Sequence, residues 1–513
     1  MHTLISPISR IVTDKYYAAV FVFSAGFLLR LVPEMLAYPY PIGYDVINYY
    51  IPVLSNFNIH WHTTSHEFPL YVYLLHLIGS AVGSSPYITV LVSAIFMFGM
   101  LSVSIFVIGI RILNISVTES VFLSVFVMVQ MAVLRTTWDL HKDVFSISLM
   151  FFVFSLIAVN KSSNSLNQLL KSIVSIILSS AIAVSDRMVG GLFSLSLFIY
   201  AIKSKDKIAA LSSLAALFVF VIALFMGSTI WNDLSKFGFI EHQVVTVRHI
   251  GISSTSYNPF NLLISFIAVN GLLVPAALLG LRHEKNAKIL KIALLITIFG
   301  SFSWILFPND ESLVANRWII LTGIFLSIFA GNGFIILSKR IGVRKSKTAY
   351  PVLLITIAIF GIIGISYVAS PYRSPFILYE IVRGYIGSFE PVSMQFNSLD
   401  VKENPMLLSA IEWINKNTTP NAIIIGANHL RGWMELELEQ GRTFHFFNSK
   451  EGILNFLRNT KSQNSYLFSL SGENPVLSGI KVKNVYKSEL ITISRVYSPT
   501  MQAGQIINMI HTN

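Results

Sequence analysis

Long apolar segments separated by short polar connections dominate the sequence before residue 371. A segment of about 20 apolar residues is what an α-helix needs to cross the hydrocarbon core of a bilayer. The pattern therefore predicts an α-helical polytopic membrane protein with about eleven transmembrane helices. They cover roughly 16–38, 87–110, 116–134, 144–160, 169–185, 189–202, 208–231, 260–281, 289–307, 318–338 and 350–370.

One further apolar segment, 68–83, is ambiguous because it is short and has Pro69 near its start. Cytoplasmic loops of membrane proteins are enriched in Lys and Arg. If 68–83 does not span, the basic connections between the later helices share one side with the N-terminus. They carry Arg111, Lys161, Lys171, Lys203, Lys205, Lys207, Arg282, Lys285, Lys288, Lys291, Lys339, Arg340, Arg344, Lys345 and Lys347. We therefore expect 68–83 to lie at the outer interface and the N-terminus to be cytoplasmic.

This topology divides the chain into two domains. Residues 1–371 form the transmembrane domain, whose first outer loop is long and covers about 39–86. Within that loop, the segment 45–57 is amphipathic and predicts a helix on the membrane surface. Residues 390–513 have the composition of a soluble protein and predict a small α/β domain outside the membrane. Its helix begins at Asn404-Pro405, and its strand candidates are 422–426, 442–447, 466–470 and 480–485.

The composition supports a membrane protein and excludes several kinds of site. Hydrophobic residues make up 54% of the chain and charged residues 12%, whereas soluble domains have about 25% charged residues. The net charge of +12 is explained by basic cytoplasmic loops, and no basic stripe with stacking aromatics indicates nucleic-acid binding. The chain contains no cysteine, which excludes disulfides, thiolate nucleophiles and Cys-ligated metals.

The densest group of charges outside the membrane lies in the predicted second outer loop. It consists of Arg135, Asp139, His141, Lys142 and Asp143. One interpretation is a solvated loop tip with mixed charges. The other is a polar site in which Arg135 and Lys142 bind a phosphate while the carboxylates bind a metal ion or substrate.

Other charges near the outer face also allow two interpretations. Arg30 and Glu34 have the spacing of a local ion pair. Charge next to hydrocarbon is costly unless it is paired or lines a water-filled cavity, and Asp45 has no such local partner, which favours a functional role. Three further groups are open between a structural and a functional role: the Asp186-Arg187 turn as a simple ion pair, Arg317-Trp318 as an interface anchor, and His60, His62 and His66 as a weak metal candidate.

Three short segments resemble a known family. The first span ends in RLVPEMLAYPYPIGYD, the segment EFPLYVYLLHLIG precedes the second span, and AIEWINKNTTPNAIIIG opens the soluble domain. Together with the order of spans and loops, these segments look like the GT-C fold membrane glycosyltransferases, which use dolichyl- or polyprenyl-phosphate-linked sugars, and are similar to prokaryotic members. The Trp-Trp-Asp signature of oligosaccharyltransferases is absent, which favours transfer of a single sugar.

The resemblance implies roles for particular residues. Asp45 matches the acid of the first outer loop that acts as general base or orients the acceptor. Asp139 or Asp143 matches a second acid, and His141 with these two could bind Mg²⁺ or Mn²⁺. The implied contacts to the donor phosphate are Lys142 and Arg135, with Arg187, Arg248 or Arg317.

The expected activity is inverting transfer of one sugar from a polyprenyl- or dolichyl-phosphate donor to a glycan, lipid or protein acceptor at the outer face of the cell membrane. A lipid or solute transporter is the main alternative. Against it, we expect no spans broken at Gly or Pro in symmetric halves of the chain. A non-catalytic factor in the assembly of surface glycans is the third possibility.

Overall fold

The computed structural model describes residues 14–55, 70–158, 165–236, 259–307, 315–344, 349–369, 393–447, 450–459, 464–470 and 481–497. It consists of two compact units. Among the described residues, the first unit contains those between 14 and 38 and between 70 and 395. The second contains 39–55 and those between 396 and 497. The first outer loop is therefore divided between the two units.

The first unit is built of helices, which follow the apolar segments of the sequence. They are α1 (Lys15–Ala37), α3 (Leu70–Val82), α4 (Pro86–Arg111), α5 (Val117–Met128), α6 (Met131–Asp139), α7 (His141–Ala158), α8 (Ser165–Ser185), α9 (Arg187–Ser204), α10 (Lys207–Lys236), α11 (Pro259–Asn270), α12 (Val274–His283), α13 (Lys288–Ser301), α14 (Ala315–Arg344) and α15 (Ala349–Ala369). Helix α2 (Ile51–Ser55) belongs to the second unit.

The helices of the first unit have the composition of membrane spans. By length and composition, six described helices can each cross a bilayer, and up to eight spans result if each of two bent pairs counts as one. Large apolar side chains on their outer faces are exposed, as on Val20, Leu77, Phe218 and Ile362. The chain is thus a mostly helical, multi-pass membrane protein. Helix α3 is about 20 Å long, shorter than the hydrocarbon core of about 30 Å.

Two predicted spans are broken, which the sequence analysis did not predict. Helices α5 and α6 meet at 62°, and α11 and α12 meet at 68°. At the first break, the Gln130 side-chain amide donates to the Phe126 carbonyl at 2.7 Å, which satisfies a group that the break frees. At the second, the backbone N–H of Gly271 bonds to the Ile267 carbonyl at 2.8 Å. Each of these bonds pairs a backbone group at a break, as apolar surroundings require.

Glycines let several helices approach closely. A Cβ atom on Gly280 of α12 would lie 2.0 Å from the Phe329 carbonyl oxygen of α14, and one on Gly333 of α14 would lie 2.0 Å from the Ala276 carbonyl oxygen. At each glycine, the backbone of the other helix thus occupies the position where a side chain would lie. Small residues at such a crossing are the usual way for membrane helices to gain packing contacts.

The second unit contains a five-stranded mixed sheet. Its elements are α16 (Asn404–Asn417), β1 (Ile423–Ala427), α17 (Arg431–Glu437), β2 (Thr443–Phe447), α18 (Lys450–Asn459), β3 (Ser465–Leu470), β4 (Lys481–Lys487) and β5 (Ile491–Tyr497). The strand order is β2-β1-β3-β5-β4. Strand β1 pairs in parallel with β2 and β3, and β5 is antiparallel to β3 and β4. The predicted α/β class is confirmed.

The segment 39–55 completes the core of this unit. A π-helical turn over Val46–Tyr50 leads into α2. Ile47 is buried in one cluster with residues of α16, α17 and the sheet, including Leu407 and Trp433. This packing accounts for the amphipathic pattern over 45–57, which was predicted to indicate a helix on the membrane surface.

Candidate functional site

The charged residues of the predicted second outer loop are buried within the first unit. Arg135, Asp139, His141, Lys142 and Asp143 are each between 2% and 6% exposed. The reason is the bend between α5 and α6, followed by α7, which begins at His141. The interpretation as a solvated loop tip is therefore wrong. Buried charges need partners, and the structure shows most of them.

Arg135 is neutralised within its own helix. Its guanidinium forms an ion pair with Asp139, four residues further on. The same guanidinium lies over the ring of Trp138, 4.7 Å from the ring centroid. A cation held by both a carboxylate and an aromatic face is fixed in place. The predicted role of Arg135 as a phosphate contact is not tested by this arrangement.

A second group joins residues that are distant in the sequence. We call Lys142, Asp143, Asp186 and Arg317 the four-charge cluster. The Lys142 Nζ lies 4.0 Å from Asp186 Oδ2, and the carboxyl of Asp143 lies beside that of Asp186. The positive charges of Arg317 and Lys142 act on the Asp143 carboxyl. Two cations thus balance two neighbouring acids.

Helix N-termini position the four-charge cluster. Lys142 and Asp143 lie in the first turn of α7, and Arg317 lies in the first turn of α14. Asp186 is the N-cap of α9, where its Oδ1 accepts the Val189 backbone N–H at 2.8 Å. The N-terminal end of a helix carries a partial positive charge. Because the two cations balance the two acids, the three helix ends supply the additional positive potential that an anion would meet here.

One carboxylate oxygen of the cluster has no partner. The Oδ1 atom of Asp143 is buried, and within the described residues no group donates a hydrogen bond to it. A buried oxygen of this kind is able to accept a proton, a hydroxyl group or a cation. Nowhere among the described residues, this cluster included, do three His, Asp or Glu side chains lie together as metal ligands. The predicted Mg²⁺ or Mn²⁺ site at Asp139, Asp143 and His141 stays a prediction.

His141 belongs to a different polar group. Its ring meets the Tyr71 ring edge-on, with centroids 6.5 Å apart, and the Tyr71 hydroxyl bonds to Ser93 Oγ at 2.9 Å. The charge of Arg30 acts on both rings. Arg30 is fully buried, and its Nη2 donates to Glu34 Oε1 at 2.5 Å, so the predicted local ion pair is confirmed.

Asp45 lies in the second unit. It is partly exposed and precedes the π-helical turn without capping it through its side chain. Burial and the charge of Asp45 raise the pKa of the neighbouring Tyr44 hydroxyl, against the opposite effect of Arg431. The predicted role of Asp45 as the base stays a prediction.

The remaining predicted residues have different positions. Arg187 is partly exposed at the start of α9, and Arg248 lies outside the described residues. Asp186 faces Lys142 and Asp143, and in the described structure it forms no ion pair with Arg187. The sequence analysis therefore missed the importance of Asp186. Its position as an N-cap in Ser-Asp-Arg was a signal for a helix start, and thus for a place where charges converge.

No protein-family model matches this sequence, and neither does any curated protein sequence. Solved structures do match. ArnT from Cupriavidus metallidurans in the apo state is 12% identical, with a TM-score of 0.55 over 93% of this chain and 97% of that chain. The same enzyme bound to undecaprenyl phosphate is 11% identical, with a TM-score of 0.50 over 93% and 98%. Arabinofuranosyltransferase AftD from Mycobacteria is 11% identical, with a TM-score of 0.49 over 93% of this chain and 40% of its own.

Proposed function

Since this chain has the fold of the GT-C membrane glycosyltransferases, we propose that it transfers a single sugar from a polyprenyl-phosphate-linked donor to an acceptor on the extracytoplasmic face. The donor supplies a phosphate at the membrane surface and an apolar tail in the bilayer. The acceptor is a hydroxyl-bearing glycan, lipid or protein. The observation that supports this proposal is the four-charge cluster, in which two cations and two acids lie together at the N-terminal ends of three helices.

The cluster suits the departure of a phosphate. During transfer, the acceptor oxygen forms a bond to C1 of the sugar while the bond from C1 to the phosphate oxygen breaks. The electron pair of that bond leaves with the lipid phosphate, which gains negative charge. Lys142 and Arg317 are the cations beside the Asp143 and Asp186 pair. Fixed cations aimed at developing charge are among the largest contributions to catalysis.

The acceptor hydroxyl must lose its proton as its oxygen attacks. A carboxylate within hydrogen-bonding distance accelerates such a step by about 10²–10⁴-fold. Asp45 is our candidate for this base, on the resemblance described above. Attack from the face opposite the phosphate inverts the configuration at C1, and no covalent intermediate with the enzyme is needed.

A divalent metal fits the acids of the cluster in part. Asp143 Oδ1 is a buried oxygen without a hydrogen-bond partner in the described structure, and oxygen is the ligand that Mg²⁺ and Mn²⁺ prefer. Asp143 and Asp186 would hold the ion. When bound, it would neutralise charge on the lipid phosphate.

The first test measures binding of undecaprenyl phosphate to the purified chain in detergent. Lys142→Gln should weaken binding by about 10–100-fold, because a charge-assisted hydrogen bond contributes about 1.5–3 kcal/mol. Lys142→Arg keeps the charge and should retain most of the affinity. The matched control is Lys339→Gln, since Lys339 pairs with Glu119 at 2.9 Å outside the cluster. Equal affinity of Lys142→Gln and the unchanged protein would refute the assignment.

A further inference from the structure

A cavity of about 630 Å³ lies at the other end of the first unit from the four-charge cluster. Helix α7 begins at the cluster and ends at Ala158, which lines the cavity. Tyr200, near the end of α9, lines it as well. The 18 residues of α7 extend about 27 Å, close to the thickness of a hydrocarbon core. The positive-inside rule predicts that this end is cytoplasmic.

Two cations face this cavity. Arg111 ends α4 and Lys288 begins α13, and both line the cavity with the polar residues Asn114 and Asn286. Within the described residues, neither cation has an ion pair or a side-chain hydrogen bond, and none of the side chains that line the cavity is acidic. Lys339, by contrast, is paired with Glu119. Two exposed positive charges thus line the cavity with no ion-pair partner in the described part of the chain.

Local hydrogen bonds hold the backbone next to each cation. After α4, the backbone N–H groups of Ile112 and Leu113 both bond to the Ile108 carbonyl, at 2.9 and 3.0 Å. Asn114 then has a φ of 50°, in the left-handed region. Before α13, the Asn286 backbone N–H donates to Glu284 Oε1 at 2.7 Å. These bonds preorganise the backbone of both rims, so a ligand needs to order only the exposed side chains of Arg111 and Lys288.

We propose that this cavity binds the phosphate-bearing head group of an anionic membrane lipid. The lining combines the two cations with the apolar residues Ile110, Ile112 and Ala158. A lipid head group has the same two parts, a phosphate followed by a glycerol unit and acyl chains. A free anion would make no use of the apolar wall. Basic pockets between membrane helices on the cytoplasmic side recognise anionic lipids in this way, and the volume is that of an ordinary ligand site.

The test uses the full chain in detergent and measures retained lipid by native mass spectrometry. Phosphatidylglycerol is the anionic probe and phosphatidylcholine the zwitterionic one. The unchanged protein should retain phosphatidylglycerol in preference. Arg111→Gln and Lys288→Gln should each reduce its retention about fivefold, and the double variant about thirtyfold. The reason is that each Lys or Arg near an anionic head group contributes about 1 kcal/mol of binding free energy, which is about fivefold in affinity. Lys203→Gln, an exposed cation of the same end that does not line the cavity, should change nothing.

Three results would overturn the proposal. They are equal retention of the two lipids, an unchanged preference in the double variant, and displacement of phosphatidylglycerol by inorganic phosphate alone, which would identify the ligand as a soluble anion. If a Gln variant does not fold, Arg111→Lys and Lys288→Arg keep the charges and should keep the preference. Loss of the preference in these folded variants would equally refute it.

Discussion

At the scale of single residues, the buried charges of the first unit follow two patterns. Arg30–Glu34 and Arg135–Asp139 are pairs within one helix turn. The contact between Lys142 and Asp186 joins different helices instead. A pair within one helix forms whenever that helix forms, whereas a contact between two helices forms only when the helices have packed together. A site that must form only on folding is therefore better built from the second kind.

The role of Asp45 is open to a direct test. Asp45→Asn keeps the size of the side chain and removes its charge and basicity. If Asp45 is the base, transfer should fall by at least about 10²-fold, with normal expression and membrane insertion. Glycan profiling of cells that carry only the variant measures this. Asp400→Asn, an acid of the same unit outside the predicted site, is the control.

Glycans that stay unchanged in the Asp45→Asn strain would remove Asp45 from the mechanism. The fold and the four-charge cluster would remain. The base would then be sought among Asp139 and Asp143, the other acids that the sequence analysis selected.

The sequence allowed prediction of these residues to different extents. The spacing of Arg30 and Glu34 was enough to predict their pairing. The approach of Asp143 to Asp186 could not be predicted, because it depends on the turn between α8 and α9 reaching the first turn of α7. The sequence of Arg317 was equally compatible with an interface anchor and with a phosphate contact, because a cation beside Trp at a helix start is typical of both roles.

At the scale of elements, glycine contacts determine how α12 and α14 cross. Gly333→Ala places a methyl group where the Ala276 carbonyl oxygen lies, 2.0 Å from the ideal Cβ position. The helices must then separate, at a cost of about 1–3 kcal/mol or more. The midpoint of thermal unfolding of the purified chain should fall, as followed by circular dichroism.

Gly361→Ala is the matched control for this change. Gly361 lies in α15, and no atom lies within 4 Å of a Cβ built there. Alanine is preferred to glycine in a helix interior by about 0.5–1 kcal/mol, so its midpoint should stay or rise slightly. A Gly333→Ala protein as stable as the Gly361→Ala protein would contradict the packing described here.

The apolar segments predicted the helices well but not their breaks. Hydropathy records only how apolar a segment is, and the residues around Gln130 remain apolar through the bend. The break there is stabilised by a side-chain bond to the Phe126 carbonyl, which no apolar pattern reveals. For the same reason, the count of about eleven spans stays a prediction, while the multi-pass architecture is confirmed.

At the scale of the whole molecule, the second unit depends on a piece of the first outer loop. Asn48 holds it through three hydrogen bonds. Its side-chain amide donates to the Tyr44 carbonyl and to Ser398 Oγ, both at 3.1 Å, and its Oδ1 accepts the Gly432 backbone N–H at 2.9 Å. A Cβ on Gly432 would lie 2.1 Å from the Ile47 carbonyl oxygen, so only glycine allows this approach.

Removing the Asn48 amide should loosen the second unit. Asn48→Ala leaves Gly432 N–H and Ser398 without these partners, at a cost of about 1–3 kcal/mol. Amide hydrogen exchange in α17 should accelerate, since that helix contains Gly432. Asn417→Ala, which removes one exposed bond to the Trp413 carbonyl, should leave α17 unaffected. Unchanged exchange of α17 in Asn48→Ala would show that the segment contributes little.

This attachment has a consequence for biosynthesis. Asn48 and Gly432 are 384 positions apart, and ribosomes add about 5–20 residues per second. The loop segment is thus synthesised well over ten seconds before the residues that pack against Ile47. During that interval the apolar side chains of the segment have no packing partner from the second unit. A fragment that starts at residue 390 would lack part of the hydrophobic core of the second unit. Expression of this unit alone should therefore require residues 39–55 to be supplied, either fused to its N-terminus or as an added peptide.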